Sequence, residues 1–279
     1  MKIIFYDVEH GSCCHVITPN GKHILIDIGS KNEESTVVNI KNKYFANSFK
    51  GIDELIITHP HEDHIFDLPN LKKILTPKII CRPKEAFDIK PQNNTDVHKE
   101  IADTANEMNQ QYNAPVVEND DVTLSQNNGG VEFDIIYPKS EWTTKDDLNT
   151  FSCLIIVKYY DYKFIITGDN PGAILKKMID INYENIKEKI KNSTILLAPH
   201  HGRENEFCKD FFDCVNPYLT IVSDKSIVHT TQEKTSQLYK GRGAELWGKM
   251  HYVLTTRNNG TISLNVDSQC CTVTVEKGA

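Results

Sequence analysis

Short apolar runs separated by polar turns dominate the start of the chain. Three of these runs have strand character: KIIFYDV, CCHVIT and KHILIDI. Pro19-Asn20-Gly21 joins the last two, and Asn-Gly between apolar runs is a strong signal for a β-hairpin. The pattern therefore predicts an antiparallel start, followed by a helix over STVVNIKNKYF and a short buried strand at ELIITH.

Strand-like and helical segments alternate through the rest of the chain. Helical spacing marks IFDLPNLKKIL and residues 96–112, 171–181 and 183–190. Strand character marks KIICRP, VEFDIIYP, CLIIVKYY, KFIITGD, TILLAP and YLTIVSD. Near the end, MHYVLTTR and TISLNV flank Asn259-Gly260, which predicts a second hairpin. Together these elements predict an α/β protein in which two facing sheets are covered by helices.

The chain contains no low-complexity linker and no short-period repeat, so we expect residues 1–279 to form a single domain. Residues 118–130 and 139–150 are polar and are predicted to be surface loops. Either loop could form the rim of a site.

Composition narrows the class of protein. The chain is 39% hydrophobic and 25% charged, which is typical of soluble globular proteins. Its apolar runs stay well short of the roughly 18 residues that a membrane span requires, and the N-terminus enters a strand pattern directly. We therefore expect a cytoplasmic protein with no membrane partner. The eight cysteines show no CxxC spacing, which favours reduced thiols over disulfides.

The charge balance limits the partners. A formal net charge of -7 opposes tight binding of long nucleic acid through a broad basic face, although a local basic groove stays open. The clustered lysines are interpreted as solvated helix faces.

The candidate chemistry starts in residues 59–64, HPHEDH, directly after an apolar strand. Histidine nitrogens and carboxylate oxygens are ligands of Zn²⁺ and Mn²⁺. His59 and His61 are two residues apart, so in extended backbone they point the same way and can share one ion. Asp63 and His64 lie where the chain turns into a helix and can reach a neighbouring second ion. A helix start with incidental histidines is the alternative.

Further candidates follow three other apolar strands. Asp169 comes after KFIITG and could bridge both ions, or could be a turn residue. His200-His201-Gly202 follows TILLAP, and we rank His200 slightly above His201 as a ligand. Asp27 ends KHILIDI and could accept a hydrogen bond from a metal-binding histidine, with a simple turn residue equally weighted.

The order of these motifs resembles the metallo-β-lactamase superfamily: a strand ending in Asp27, then THPHEDH, ITGD and APHHG. More narrowly, FYDVEHGSCCHVITPNGKHILIDIG, ELIITHPHEDH, FSCLIIVKYYDYKFIITGD, ILLAPHHG and NGTISLNV are similar to the C-terminal hydrolase domain of the ComEC/Rec2 DNA-uptake proteins and its stand-alone soluble relatives. The resemblance implies a metallo-β-lactamase αββα sandwich of two mixed sheets with helices outside. It also implies a dinuclear site with Asp27 in support and these ligands: His59, His61, Asp63, His64, Asp169 and His200 or His201.

The sequence departs from that family at several positions. Many members carry a further histidine ligand between the HxHxDH motif and the bridging aspartate; here Asn149-Thr150 occupies that place, and His98 lies on a polar helix. Relatives read DVGQGD or DVGHGD where this chain reads DVEHGS, so Glu9 replaces a glycine. His229 falls near a histidine that faces the site in relatives, with a surface histidine as the alternative. The membrane segments and binding domain of the competence proteins have no counterpart here, so only the hydrolase chemistry carries over.

The implied reaction is hydrolysis by a metal-activated hydroxide, and two divalent cations, Zn²⁺ or Mn²⁺, suit a site of nitrogen and oxygen ligands. We expect a phosphodiesterase or nuclease, with a phosphodiester, including nucleic acid, as substrate. Asp63, His201 and His229 are the candidate catalytic residues, and either histidine or His10 could protonate the leaving group. The alternatives are a hydrolase of a small-molecule ester or nucleotide, and an inactive metal-binding partner module.

Overall fold

The computed structural model describes residues 1–31, 34–46, 51–225 and 234–277. In chain order the described strands are β1 (Lys2–Phe5), β2 (Cys14–Ile17), β3 (His23–Ile26), β4 (Glu54–Ile56), β5 (Ile79–Cys81), β6 (Glu132–Ile136), β7 (Leu154–Tyr159), β8 (Tyr162–Ile166), β9 (Ile195–Leu197), β10 (Leu219–Val222), β11 (Ala244–Leu246), β12 (Lys249–His251), β13 (Val253–Thr255), β14 (Ile262–Val266) and β15 (Cys271–Val275). The described helices are α1 (Thr36–Tyr44), α2 (Glu62–Ile65), α3 (Leu68–Ile74), α4 (Asp96–Gln111), α5 (Gly172–Asp180), α6 (Ile186–Ile190), α7 (Lys209–Val215), α8 (Thr235–Leu238) and α9 (Thr256–Asn259).

Two mixed sheets carry the fold, as the sequence predicts. In the first sheet the strand order is β15-β14-β1-β2-β3-β4-β5, and only the β3-β4 and β4-β5 pairs are parallel. In the second sheet the order is β13-β10-β9-β8-β7-β6, with parallel pairs from β13 to β8 and antiparallel pairs beyond. Strands β11 and β12 form a separate antiparallel pair.

The two sheets face each other across one apolar layer. Alternation along β3 shows how the strands divide their side chains: Ile24 and Ile26 join this layer, whereas Leu25 points to the other face. The same layer receives Phe164 and Ile166 from β8 in the second sheet. Burial of both inner faces keeps the sheets stacked.

Helices cover both outer faces. Apolar residues of α1, α3 and α4 pack with Leu25 and Leu55 on the outside of the first sheet. Residues of α5, α6 and α7 pack with Ile165 and Leu196 on the outside of the second sheet. The layers are therefore helix, sheet, sheet, helix, which confirms the predicted αββα sandwich.

The prediction of a second hairpin around Asn259-Gly260 was wrong. Val253–Thr255 pairs in parallel with β10 in the second sheet, whereas Ile262–Val266 pairs with β1 and β15 in the first. The Thr255 side chain caps α9 by accepting from the Asn258 amide, and the Gly260 amide donates to the Thr256 carbonyl at 2.8 Å. The Asn-Gly pair therefore ends a helical turn that moves the chain from one sheet to the other.

The first predicted hairpin forms between β2 and β3, as expected. The 118–130 segment is exposed or half-buried apart from Val122 and Asn128, which are buried and anchor it. Within the described residues, the structure contains no helix of the length and apolarity that crossing a membrane would need.

Candidate metal centre

The predicted site residues follow the carboxyl ends of parallel strands in both sheets. Asp27 follows β3, the 59–64 motif follows β4, Asp169 follows β8, and His200-His201 follows β9. In open α/β sheets this edge is where ligands bind, because the loops there converge without strand pairing. The structure thus brings together residues from four separate segments of the chain.

One buried hydrogen-bond group fixes the orientation of His64. Its Nδ1 lies 2.7 Å from Asp27 Oδ2, and Asp27 also accepts from the Thr58 amide at 2.8 Å and from the Thr58 hydroxyl. With Nδ1 engaged, His64 presents Nε2 toward Asp169, whose Oδ1 is 3.1 Å away. This is the supporting contact that the sequence suggested for Asp27.

Four side chains meet closely enough to hold an ion: Asp63, His64, Asp169 and His201. Their ligand atoms all lie within 4.8 Å of one another. His201 Nε2 is 3.2 Å from Asp63 Oδ2 and 3.6 Å from Asp169 Oδ2. The other ring nitrogen of His201, Nδ1, donates to the Ser223 carbonyl at 2.8 Å, which leaves Nε2 free to coordinate.

A histidine pair lies beside that group. His59 Nε2 is 3.1 Å from His61 Nδ1, and the His59 ring centroid is 4.2 Å from that of His64. The two-residue spacing therefore points both rings the same way, as the extended backbone predicts. His200 Nε2 is 3.7 Å from Asp169 Oδ2, almost as near as His201 Nε2, but of the two only His201 belongs to the group of four whose ligand atoms lie within 4.8 Å of one another.

The backbone around the site is strained where it turns. His200, His201 and Gly202 are consecutive residues with φ values of 48°, 54° and 73°, and Asp27 has φ 58°. Left-handed backbone is costly for residues with a Cβ and clusters at functional sites. Glu9 also has left-handed backbone, with φ 61°, and its carboxylate pairs with Lys225 Nζ at 2.7 Å.

Charge in the site is concentrated and buried. Burial lowers the pKa of His64, but Asp169, Asp27 and Asp63 outweigh it and raise that pKa well above its usual value. The pKa of His201 is also raised, because Asp169 and Asp63 outweigh burial. Burial lowers the pKa of His59 well below its usual range. His59 is therefore neutral near neutral pH, whereas His64 and His201 retain a proton that a bound cation would displace.

The donor set fits a divalent cation. His64 Nε2 is buried and faces two carboxylates, with Asp169 Oδ1 at 3.1 Å and Asp63 Oδ2 at 4.0 Å. A nitrogen and two carboxylates that converge in this way suit the coordination of a cation. The acidic residues gathered here also leave negative charge that a cation would neutralise. Nitrogen and oxygen donors suit Zn²⁺ and Mn²⁺ alike.

The group opens into a cleft of about 520 Å³. His10 lies on its wall, with its ring 4.4 Å from that of His201 and its Nε2 3.7 Å from Asp63 Oδ2. Burial lowers the pKa of His10 to about 4. Asn149, from the predicted 139–150 rim, lines the cleft with its Oδ1 lacking a hydrogen-bond partner among the described residues. Arg203 lines it as well.

One side of this cleft is formed by residues that the sequence pattern did not indicate. Glu62, Gln92 and His98 line it, and His98 Nδ1 contacts Glu62 Oε1. The polar character of the helix that carries His98 gave no sign of this position. However, residues 98, 101, 102 and 105 share one helix face, and that spacing could have placed His98 toward the interior. The position of His229 lies outside the described residues.

Fold and site together define a protein with an αββα sandwich and a histidine- and aspartate-rich metal centre at one sheet edge. The metallo-β-lactamase superfamily model matches residues 9–203, and the chain belongs to that superfamily.

This chain resembles known proteins both in sequence and in fold. A UPF0173 metal-dependent hydrolase from Koribacter versatilis (strain Ellin345) is 36% identical over 72 residues, which is 25% of this chain and 27% of that protein. The match therefore spans about a quarter of the length of that relative.

Two solved structures share the fold over nearly the whole chain. Tm1679, a metal-dependent hydrolase of the β-lactamase superfamily, is 15% identical with a TM-score of 0.53, covering 96% of this chain and 99% of that one. CmlA, a diiron β-hydroxylase from Streptomyces venezuelae, is 14% identical with a TM-score of 0.51, covering 95% of this chain and 54% of that one. At such identities the likeness concerns the fold alone.

Proposed function

We propose that this chain is a metal-dependent hydrolase that binds two divalent cations and cleaves phosphodiesters. The observation that supports it most is the convergence of Asp63, His64, Asp169 and His201 within 4.8 Å, with His59 and His61 alongside. In this proposal His59 and His61 would hold one ion, and Asp63, His64 and His201 would hold the other. Asp169, whose carboxylate is 3.1 Å from His64 Nε2 and 3.6 Å from His201 Nε2, would help to hold both.

The side chains around the ions have separate tasks. Asp27 holds His64 by its Nδ1, so that the ring cannot rotate away from Asp169. Arg203 Nε is buried without a hydrogen-bond partner in the described part of the chain. The Arg203 residue lines the cleft in which an anionic phosphoryl group would sit. His10, on the cleft wall beside Asp63, is placed to hydrogen-bond an oxygen of the phosphoryl group. Asn149 adds a polar group to the lining of the cleft.

When bound, a pair of divalent cations supplies Lewis acidity and lowers the pKa of water, which suits attack on a phosphodiester. The name of the Koribacter relative supports hydrolysis, and the motif resemblance to ComEC/Rec2 hydrolase domains supports a phosphodiester. CmlA, a β-hydroxylase with a similar fold, illustrates that fold alone does not determine the reaction. Turnover of a phosphodiester is therefore the property to measure.

The test combines metal content with turnover of bis(4-nitrophenyl) phosphate, for wild type and for His61→Ala and Asp169→Asn. We expect wild type to bind about two equivalents of Zn²⁺ or Mn²⁺ and to turn over the ester. Each variant should lose at least one equivalent and about 100-fold in kcat/KM, because ligands act directly on the ions. His251→Ala, in β12 away from the metal centre, is the matched control and should keep both properties.

Other outcomes would contradict the proposal. Full metal binding with no turnover of any ester class would instead support the inactive partner module. If turnover is seen, its dependence on salt separates the substrate classes. Cleavage of nucleic acid should weaken steeply with added salt, whereas cleavage of a small ester or nucleotide should change little.

A further inference from the structure

A second chamber adjoins the metal-centre cleft. It has a volume of about 470 Å³, within the range of small-molecule sites. Its wall and that of the cleft share His61, Glu62, Gln92 and His98. The chamber and the cleft are therefore adjacent, with these four side chains at their boundary.

The chamber wall is largely apolar and comes from separate segments of chain. Ile101 and Ala102 of α4 are each only 2% exposed, Ile65 of α2 is fully buried, and Ala86 is 2% exposed. The loops contribute Ile89 and Leu148, which are half-buried and present the apolar surface that a ligand would cover. That surface favours an uncharged hydrocarbon group, because contact with it removes apolar area from water.

Two hydrogen-bond sets hold the loops that form this wall. Asn106 of α4 accepts from the Ile89 amide at 3.0 Å and donates to the Ile89 carbonyl at 2.9 Å. Lys145 Nζ donates to the Phe87 carbonyl at 3.3 Å, which ties the 139–150 loop to the segment opposite. The chamber is therefore formed before any ligand arrives, which lowers the cost of binding.

Charges around the chamber are balanced. Lys90 and Lys145 contribute positive charge, and Asp88 and Glu62 contribute negative charge. A continuing strand of nucleic acid would need excess positive charge along its path. The balance and the limited volume both disfavour a polymer and favour one compact group.

Resting on the proposed phosphodiester hydrolysis, we propose that the chamber binds the non-reacting ester group of the substrate, and that this group is an aromatic ring or short alkyl chain. The substrate class is then a small organic phosphodiester with one apolar ester group. The phosphoryl group lies at the metal centre, and the apolar group lies among Ile65, Ile89 and Ala102.

The test fills the chamber from two sides, with Ala102→Leu on the helix and Ile89→Trp on the loop. Ala173→Leu, an exposed position on α5, is the matched control. Calorimetry on the metal-loaded proteins compares phenylphosphonate with methylphosphonate, which cannot be hydrolysed as esters. Turnover compares phenyl 4-nitrophenyl phosphate with methyl 4-nitrophenyl phosphate, which share one leaving group. Using two filling variants guards against one that simply folds poorly.

We expect wild type and Ala173→Leu to bind phenylphosphonate about tenfold more tightly than methylphosphonate, as burial of one apolar group provides. Both filling variants should lose this preference while binding methylphosphonate unchanged, and the ratio of kcat/KM for the phenyl over the methyl diester should fall about tenfold. Equal or absent binding of the two phosphonates by wild type, or preference retained in the filling variants, would overturn the proposal. Loss of preference in both filling variants, with no hydrolysis of either diester by wild type, would support the chamber and refute the proposed phosphodiesterase reaction.

Discussion

At the scale of single residues, the metal centre depends on side chains that bind no ion themselves. Asp27 is fully buried, sits in left-handed backbone and accepts hydrogen bonds from Thr58 and His64. An ionised carboxylate in that position strengthens the His64 imidazole as a ligand and selects its tautomer. The orientation of His64 as a ligand therefore depends on Asp27, which would not itself contact an ion.

Replacing Asp27 with Asn should weaken metal binding with little change in shape. Asn keeps one oxygen that can accept from His64 but removes the negative charge, so we expect affinity for Zn²⁺ to fall about 10- to 100-fold. Competition with a chelating dye measures this. Asp103→Asn, at an exposed position of α4, should bind as wild type does. Unchanged affinity in Asp27→Asn would refute the supporting role.

At the scale of elements, the motif helix α2 is held by close backbone contact with two loops. The Gly29 amide donates to the Ser12 carbonyl at 2.7 Å, and a Cβ at Gly29 would lie 2.5 Å from the Asp63 carbonyl oxygen. Only glycine permits that approach. The ligand-bearing turn and the loop after β3 are therefore positioned together.

Gly29→Ala should displace α2 and with it Asp63 and His64. The overpacked contact should cost about 1–3 kcal/mol in free energy of unfolding, measured in urea, and metal affinity should fall as well. Gly21→Ala is the comparison, because its Cβ would meet nothing within 4 Å although φ is +81°. That variant should lose about 1 kcal/mol from backbone strain but retain metal affinity. A Gly29→Ala protein with unaltered metal binding would contradict the account.

At the scale of the whole molecule, the two sheets bury one carboxyl group away from the metal centre. Glu54 of β4 is 1% exposed, and its Oε1 lacks a hydrogen-bond partner within the described residues. Burial raises its pKa from 4.5 to about 7, with Cys81 opposing that shift. The folded state therefore holds this proton more tightly than the unfolded chain.

This linkage makes stability depend on pH. Because the folded pKa of Glu54 is the higher one, the stability it contributes is present below about pH 4.5 and is lost as the pH rises toward 7. Glu54→Gln cannot ionise, so relative to wild type it should gain up to about 3 kcal/mol in free energy of unfolding between pH 4.5 and 8. Urea unfolding across that range measures the difference. Glu245→Gln, exposed on β11, should track wild type, and a constant difference for Glu54→Gln would refute the linkage.

Local pattern predicted much of this architecture. Two facing sheets, the β2-β3 hairpin and the helical cover follow from alternation and helical spacing in the sequence, whereas the mixed strand directions were implied by the family resemblance. The second hairpin failed because Asn259-Gly260 is compatible with both a hairpin turn and a helix end, and only the strand partners distinguish the two. The position of His98 was not predicted for a related reason, since a helix that is polar overall can still turn one face toward the interior.

The sequence by itself determined which residue types could bind metal and that each follows a strand, because ligand chemistry and strand periodicity are local properties. Tertiary structure decided that Asp63, Asp169 and His201 meet, and that His201 rather than His200 belongs to this closely packed group. It also decided that a separate apolar chamber adjoins the cleft. These are distances between residues far apart in the chain. They follow from how two sheets stack and where their parallel strands end, which no local pattern specifies.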